Sequence, residues 1–206
     1  MWAVLAFALG ITASFVLLGE VFGTLGDSDP TFTEHYSSPG GRARDIAGSA
    51  ALIVSGAALI VFAAAMRRGL SARRPIAADI FACACVVSAA LLIVSASLLM
   101  TTPLSISFGG LFDDNGQFAD GNIAVLPQAG TVMVLVAAMP IMALAVGAFA
   151  AAIATTGQWP RWHVVLSWIC AAVLPLGFFF APLLALPAWA FATSFVLWRA
   201  TENTGA

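Results

Sequence analysis

The stretch that decides the fold is residues 46–74, IAGSAALIVSGAALIVFAAAMRRGLSARR. Its first 21 residues carry no charged side chain, and about 20 apolar residues are enough for a helix to cross the hydrocarbon core of a bilayer. Four arginines follow directly: Arg67, Arg68, Arg73 and Arg74. Because cytoplasmic loops are enriched in Arg and Lys, the stretch predicts a membrane-spanning helix that ends in a cytoplasmic turn.

The composition of the whole chain agrees with this stretch. Of its 206 residues, 61% are hydrophobic and only 9% are charged, and the mean hydropathy is +1.00. A soluble domain has about 45–50% apolar and about 25% charged residues. The chain therefore has too little charge for an ordinary cytoplasmic enzyme or a disordered protein, and it lacks the basic face of a nucleic-acid-binding protein.

Six continuously apolar stretches predict six helices rather than the alternating strands of a barrel. The predicted spans are 2–23, 46–66, 76–100, 129–155, 162–180 and 183–198. The predicted fold is all-α, a polytopic transmembrane bundle that forms one membrane domain over residues 1–206, with exterior loops at 24–45 and 101–128. The first helix is expected to be retained because no positive region or A-x-A site marks a cleaved signal. Pro140 and Pro175 are expected to kink their helices.

The arginines predict the orientation of the bundle. If six helices alternate in direction, only Arg42 and Arg44 fall on one side of the membrane. The positive-inside rule then places both termini in the cytoplasm and both long loops outside, in a multi-pass protein of the plasma (inner) membrane. The predicted cytoplasmic arginines are Arg67, Arg68, Arg73, Arg74, Arg161 and Arg199.

The candidate functional residues are polar side chains of the predicted exterior side: Glu20, Glu34, His35, Arg42 and Arg44. A carboxylate at bilayer depth is costly and often functional, which singles out Glu20 near the end of the first helix. Two interpretations stay open. Glu20 is a hydrated interfacial carboxylate, or it faces the bundle and pairs with Arg42 or Arg44 to dock the first exterior loop.

The exterior loops carry no recognisable catalytic or metal-binding motif. Carboxylates and imidazole are zinc ligands, but Asp27, Asp29, Glu34 and His35 match no ligand spacing. Residues 113–116, DDNG, do not fit the calcium-loop pattern. The sequence also has no nucleophile elbow, phosphate-binding loop or HExxH motif. It therefore predicts no catalytic residue, no metal and no cofactor.

Other polar and small residues are interpreted as structural. Asp79 lies in the first turn of the third helix near Arg73 and Arg74, where the helix dipole favours an acid. His163 is expected at the interface, where the fifth helix begins. Small residues spaced by four allow close helix packing, within the chain or across a homodimer. These are Ala47, Ala51, Ser55, Ala143, Gly147, Ala151 and Thr155.

Two segments carry a resemblance to known proteins. The closing segment runs from WPRW at 159–162 through LPAW at 186–189 to Trp198 and Arg199, and the first exterior loop ends in GRARD at 41–45. Over most of the chain this layout resembles that of uncharacterised six-helix bacterial integral membrane proteins. The resemblance implies the six-helix topology and no catalytic residue.

Three functions follow from these features. We expect a structural, binding or accessory membrane subunit without chemistry of its own, which recognises partners through its exterior loops. The first alternative is a small oligomeric transporter or channel, in which Glu20 lines a water-filled cavity and the fourth helix is broken at Pro140. The second is a membrane-embedded enzyme or lipid-binding protein that uses Glu20 and His35. The expected partners are the lipid bilayer, other membrane proteins or a second copy of the chain, and not nucleic acid.

Overall fold

The structure is a computed structural model that describes residues 1–23, 34–108, 125–179 and 181–204. It is 92% helical, and the described ranges contain no strand. Within these ranges, three helices are long and apolar enough to cross a membrane: Pro39–Ser71, Pro75–Ser107 and Val125–Ala154. The all-helical class predicted for this membrane protein is therefore confirmed.

The helices of the described ranges are numbered in chain order. They are α1 Trp2–Leu17, α2 Gly19–Gly23, α3 Pro39–Ser71, α4 Pro75–Ser107, α5 Val125–Ala154, α6 Arg161–Val173 and α7 Ala185–Thr204. A single helical turn at 34–37 precedes α3. The 3₁₀ segments Leu174–Phe179 and Ala181–Leu184 lie between α6 and α7.

Helix α3 begins well before the apolar stretch from which it was predicted. Ser38 caps its N-terminus by accepting a hydrogen bond from the Gly41 amide at 3.4 Å, and Pro39 occupies a first-turn position that suits proline. Residues 39–45, predicted as part of a loop, are therefore helical. Hydropathy shows which part of a helix lipid can cover, whereas the capping residues decide where the helix begins.

Both prolines that were expected to kink their helices lie where the helix type changes. The π-helical turn Met133–Ala138 inside α5 ends two residues before Pro140. The proline ring crowds the carbonyl four residues back and removes a backbone hydrogen bond, and a π-helical turn accommodates this locally. Pro175 lies in the 3₁₀ segment Leu174–Phe179, so the predicted span 162–180 does not continue as one α-helix.

Helices α1 and α3 pack antiparallel at very short range. A Cβ atom on Gly10 would lie 2.4 Å from Ser55 Oγ and 3.1 Å from the Ala51 carbonyl, and one on Gly48 would lie 2.7 Å from Leu18 Cγ. Only glycine lets the two backbones approach this closely. The small residues Ala51 and Ser55 thus serve packing within the chain. The predicted span 2–23 is interrupted at Leu18, between α1 and α2.

Buried serines join α4 to α5 in the same antiparallel sense. Ser88 Oγ donates a hydrogen bond to the Ala138 carbonyl at 3.3 Å, and Ser95 Oγ donates to the Gly130 carbonyl at 2.6 Å. From the first bond to the second, the residue number rises in α4 and falls in α5, so the two helices run antiparallel. Each hydroxyl therefore satisfies its own hydrogen-bonding need and fixes the register of two apolar helices.

Four aromatic rings from four different helices form the centre of the packing. Phe62 of α3, Phe81 of α4, Phe149 of α5 and Trp189 of α7 are all buried. Their ring centroids are 5.5 to 6.3 Å apart around a closed circuit. Edge-to-face and tilted pairs at this spacing contribute about 0.5–1.5 kcal/mol each beyond the burial of their area.

The turn between α3 and α4 is fixed by its arginines. We call residues 67–74 the arginine turn. Arg67 Nε donates to Asp79 Oδ1 at 2.8 Å, so Asp79 pairs across the turn rather than with its expected neighbours. Arg73 donates to the Thr156 carbonyl at 3.1 Å and Arg74 to Thr155 Oγ1 at 3.3 Å. The arginine turn therefore lies beside the C-terminal end of α5.

Candidate functional site

Four charged or titratable side chains meet at the opposite end of α3 from the arginine turn. Glu20 comes from α2, His35 from the turn at 34–37, and Arg44 and Asp45 from the second turn of α3. Arg44 forms an ion pair with Glu20 through Nη2 and Oε2. The His35 ring places Nδ1 3.7 Å from Glu20 Oε2 and Nε2 2.9 Å from Asp45 Oδ2. We call these four residues the polar cluster.

The polar cluster runs from solvent into the bundle. The Glu20 side chain is 62% exposed, that of His35 is 18% exposed, and that of Asp45 is 1% exposed. A buried carboxylate is costly unless it is hydrogen-bonded or paired, and His35 supplies that partner. The imidazole therefore connects a buried carboxylate to an exposed one.

The backbone around His35 is held in place from two sides. A Cβ atom on Gly41 would lie 2.7 Å from the His35 carbonyl oxygen, so the turn at 34–37 rests directly on the start of α3. Arg42 donates through Nη1 to the carbonyls of Tyr36 and Ser37. These carbonyls lie at the C-terminal end of the short helical turn, so Arg42 acts as a C-terminal cap.

The electrostatics at the outer part of the cluster favour a charged Glu20 carboxylate and a neutral Tyr36 phenol. The hydrogen bond and charge of Arg44 lower the pKa of Glu20 below its ordinary value, against a smaller opposing effect of desolvation. Tyr36 is fully buried, with its ring edge-on to the His35 ring at 5.0 Å. Burial, and secondarily the nearby Asp45 charge, raises the pKa of Tyr36. Tyr36 thus covers the cluster as an uncharged group.

A cleft opens above the polar cluster. Its volume is about 290 Å³, which is at the lower end of the range of roughly 300–1,000 Å³ that small-molecule sites occupy. Polar side chains and the glycines of the α3 N-terminus form its walls. The lining residues are Glu20, Glu34, His35, Ser38, Gly40, Gly41 and Arg44. The cleft suits a single polar side chain or a compact head group.

The structure brings four of the five predicted site residues to this cleft: Glu20, Glu34, His35 and Arg44. Of the two partners predicted for Glu20, Arg44 makes the contact, while Arg42 caps the neighbouring turn. Glu20 is 62% exposed and also pairs with Arg44.

Sequence reasoning missed Asp45 because it placed the start of the helix at residue 46. The burial pattern of α3 shows where Asp45 belongs. Asp45, Gly48, Ser49 and Leu52 are all buried, and their spacing of three, four and seven is that of one helical face. Read with the helix start at Pro39, this pattern places Asp45 on the inward face.

A second polar assembly, which the sequence did not predict, joins α6 to α7. Ser167 Oγ donates to the His163 carbonyl at 2.9 Å and Trp189 Nε1 donates to Ser167 Oγ at 3.0 Å. Thr193 Oγ1 donates to the Trp189 carbonyl at 2.8 Å, so His163 Nε2 donates to Thr193 Oγ1, 3.0 Å away. We call this closed ring of four hydrogen bonds the hairpin clasp.

His163, which was expected at the interface, lies in the first turn of α6 and faces the interior of the bundle. The side chain is fully buried, with the Trp159 ring 5.0 Å and the Phe149 ring 6.1 Å from its own. Burial is tolerated because the hydroxyl of Thr193 accepts from the ring. The signal in the sequence is a pair of polar residues spaced by four on each of two neighbouring helices, which becomes visible only once their pairing is known.

The part of the chain that the structure describes contains no candidate metal site. There, no three His, Cys, Asp or Glu side chains lie close enough together to hold an ion. Asp27, Asp29 and residues 113–116, which were considered as ligands, lie outside the described ranges.

No family model, curated protein or solved structure matches the chain. The resemblance to six-helix bacterial membrane proteins therefore stays a prediction.

Proposed function

We propose that the chain is a multi-pass plasma-membrane protein with six spanning segments and cytoplasmic termini, and that it serves as a binding or accessory subunit. Its partner is recognised outside the membrane, at the cleft above the polar cluster. In this role the protein catalyses no reaction of its own.

The packing supports six passes. Beyond the three long helices, α1 lies antiparallel to α3, and α6 lies antiparallel to α7 through the hairpin clasp and a 3.4 Å contact from Cys170 Sγ to the Ala185 carbonyl. A short apolar helix still has the length of most of a bilayer, since Arg161–Gly177 rises about 25 Å at 1.5 Å per residue. Six alternating passes place the arginine turn and both termini on one side, the side that the positive-inside rule assigns to the cytoplasm.

The observation that carries the functional proposal is that the His35 ring lies between two carboxylates. Both of its ring nitrogens face carboxylate oxygens, Glu20 on one side and Asp45 on the other. A general base needs a nitrogen lone pair directed at the substrate. Here the ring connects the turn at 34–37 to α2 and α3, and the exposed side chains of Glu34 and Ser38 lie at the rim of the cleft.

Photocrosslinking in native membranes tests this proposal. A photoreactive amino acid replaces Glu34 at the rim of the cleft, and the matched control carries it at Gly69, which is exposed in the arginine turn. We expect a protein adduct at position 34 that is absent at 69 and is lost when Gly41→Ala displaces His35. An adduct at twice the mass of the chain identifies a second copy as the partner. Absence of an adduct at 34, or its persistence in Gly41→Ala, contradicts the proposal.

A transporter is the second candidate, because the π-helical turn Met133–Ala138 lies inside α5 close to Pro140 and such turns recur at functional sites. Glu20 lines the cleft at one end of the bundle. The core beneath the cluster favours the first candidate, since Ile11, Leu52 and Leu59 are fully buried there. Reconstituted vesicles separate the two: a Glu20→Gln variant with unchanged flux eliminates transport through this site.

A further inference from the structure

A large groove runs along the outer faces of α3 and α4, next to the arginine turn. Its volume is about 1000 Å³. Ile60 and Ala64 on α3 and Val86 and Val87 on α4 form its apolar walls, and all four are exposed on the surface of the bundle. In a bilayer these walls face acyl chains, because both helices are among those long enough to span it.

The mouth of this groove is positively charged. Arg67, Arg68 and Asp79 line it. Arg67 neutralises Asp79 through their 2.8 Å ion pair. Within the described ranges Arg68 has no side-chain partner, and it is exposed. The mouth therefore carries one uncompensated guanidinium, a group that binds phosphate well.

From this juxtaposition we infer that the groove binds an anionic phospholipid of the leaflet on the arginine side. The phosphate contacts Arg68 at the mouth, and an acyl chain lies along the walls between α3 and α4. Basic pockets between transmembrane helices are recognised sites for anionic head groups.

The dimensions fit this occupant. Ile60 and Arg68 are eight residues apart on one continuous helix, which is about 12 Å along its axis at 1.5 Å per residue. One leaflet contributes about 15 Å of hydrocarbon to a core of about 30 Å. With the head group at Arg68, most of an acyl chain therefore lies within the groove.

One cysteine inside the groove can report whether a lipid is bound there. Cys83 lines it and is exposed, whereas Cys85 and Cys170 are buried. A lipid seated in the groove covers Cys83 and slows its reaction with a membrane-permeant maleimide. The unmodified chain thus reports occupancy without any substitution.

The test compares the full chain in nanodiscs of phosphatidylglycerol and of phosphatidylcholine with the same acyl chains. We expect Cys83 to react several-fold more slowly in phosphatidylglycerol. Arg68→Ala removes most of this difference, since the loss of one charge-assisted contact weakens binding about tenfold. Arg161→Ala, which removes an exposed arginine outside the groove, leaves the difference intact.

A second variant tests the acyl-chain contact separately from the charge. Ala64→Trp fills the groove from an exposed position and leaves Arg68 in place. Titration with phosphatidylglycerol in micelles, followed by native mass spectrometry, is expected to show retained lipid on the unmodified chain and about tenfold less on Ala64→Trp. Equal reactivity of Cys83 in the two lipids, equal effects of Arg68→Ala and Arg161→Ala, or full lipid retention by Ala64→Trp overturns the inference. Displacement of the lipid by glycerol phosphate alone also overturns it, because the head group would then bind without the groove.

Discussion

The docking of His35 on α3 depends on the missing side chain of Gly41. A Cβ atom there would lie 2.7 Å from the His35 carbonyl oxygen, whereas ordinary van der Waals contact begins at 3.4 Å. In Gly41→Ala the His35 backbone must therefore retreat by about 0.7 Å. If the ring moves with it, the 2.9 Å bond to Asp45 lengthens to about 3.6 Å, which is outside hydrogen-bonding range.

The energy of this change follows from the groups involved. A hydrogen bond to a charged group contributes about 1.5–3 kcal/mol. Replacing glycine in a helix returns at most about 1 kcal/mol of helix propensity. We therefore expect Gly41→Ala to lower the free energy of unfolding by about 0.5–2 kcal/mol.

Gly40→Ala is the matched control, one residue away in the same helical turn. Its Cβ atom would meet only Ser38 Oγ, at 3.6 Å, so it keeps the polar cluster and gains helix propensity. Unfolding of both variants in mixed micelles, followed by circular dichroism, measures the difference. Hydrogen exchange over residues 34–45 detects a purely local loss of docking. Equal stability and equal exchange in the two variants would refute the steric reasoning.

Three further predictions test other parts of the structure. Thr193→Val removes the acceptor of the buried imidazole and should destabilise the chain by about 1 kcal/mol in micelle unfolding, whereas Ser97→Ala on an exposed face should change stability by less than about 0.5 kcal/mol. The pKa of Glu20 is lowered in the folded state. Its stabilising ion pair is therefore fully present above the ordinary pKa of 4.5 and is lost as the pH falls through the lowered value. The melting temperature of Glu20→Gln should accordingly fall less in acid than that of the unmodified chain. Gly56→Ala places a Cβ atom 3.0 Å from a backbone oxygen of α4 and should destabilise by about 1–3 kcal/mol, whereas Gly69→Ala, with nothing within 4 Å, should be neutral or stabilising.

The helical class could be predicted from the sequence because continuously apolar stretches of about 20 residues are a local feature of the chain. The contact between Glu20 and Arg44 could be predicted as one of two alternatives, since opposite charges near one membrane surface have few other partners. The bond between His35 and Asp45 could not. It depends on α3 beginning at Pro39, and the hydropathy of residues 39–45 gives no indication of a helix.

The hairpin clasp was missed for a different reason. His163 and Trp189 each have a reasonable interpretation alone, as an interfacial histidine and a packed aromatic residue. Their hydrogen bonds through Ser167 and Thr193 exist only when α6 and α7 are placed side by side in one register. Pairing between helices is not a local property, so a pass along a single sequence does not reveal it.

The two ends of α3 use their charges differently, and this difference is what connects the two proposals. At the cleft end, Arg44 pairs with Glu20, and the His35 ring lies between Glu20 and Asp45. The side chains of the polar cluster therefore contact one another and lie beneath the cleft. At the arginine turn, Arg68 remains without a side-chain partner in the described ranges and borders an apolar groove. The polar cluster favours a partner that is recognised by the shape of the cleft and by its rim residues. An arginine without a side-chain partner, beside an apolar groove, favours an anionic lipid. Neutralising Arg68 should therefore alter lipid selectivity and leave crosslinking at the cleft unchanged, and Gly41→Ala should do the reverse.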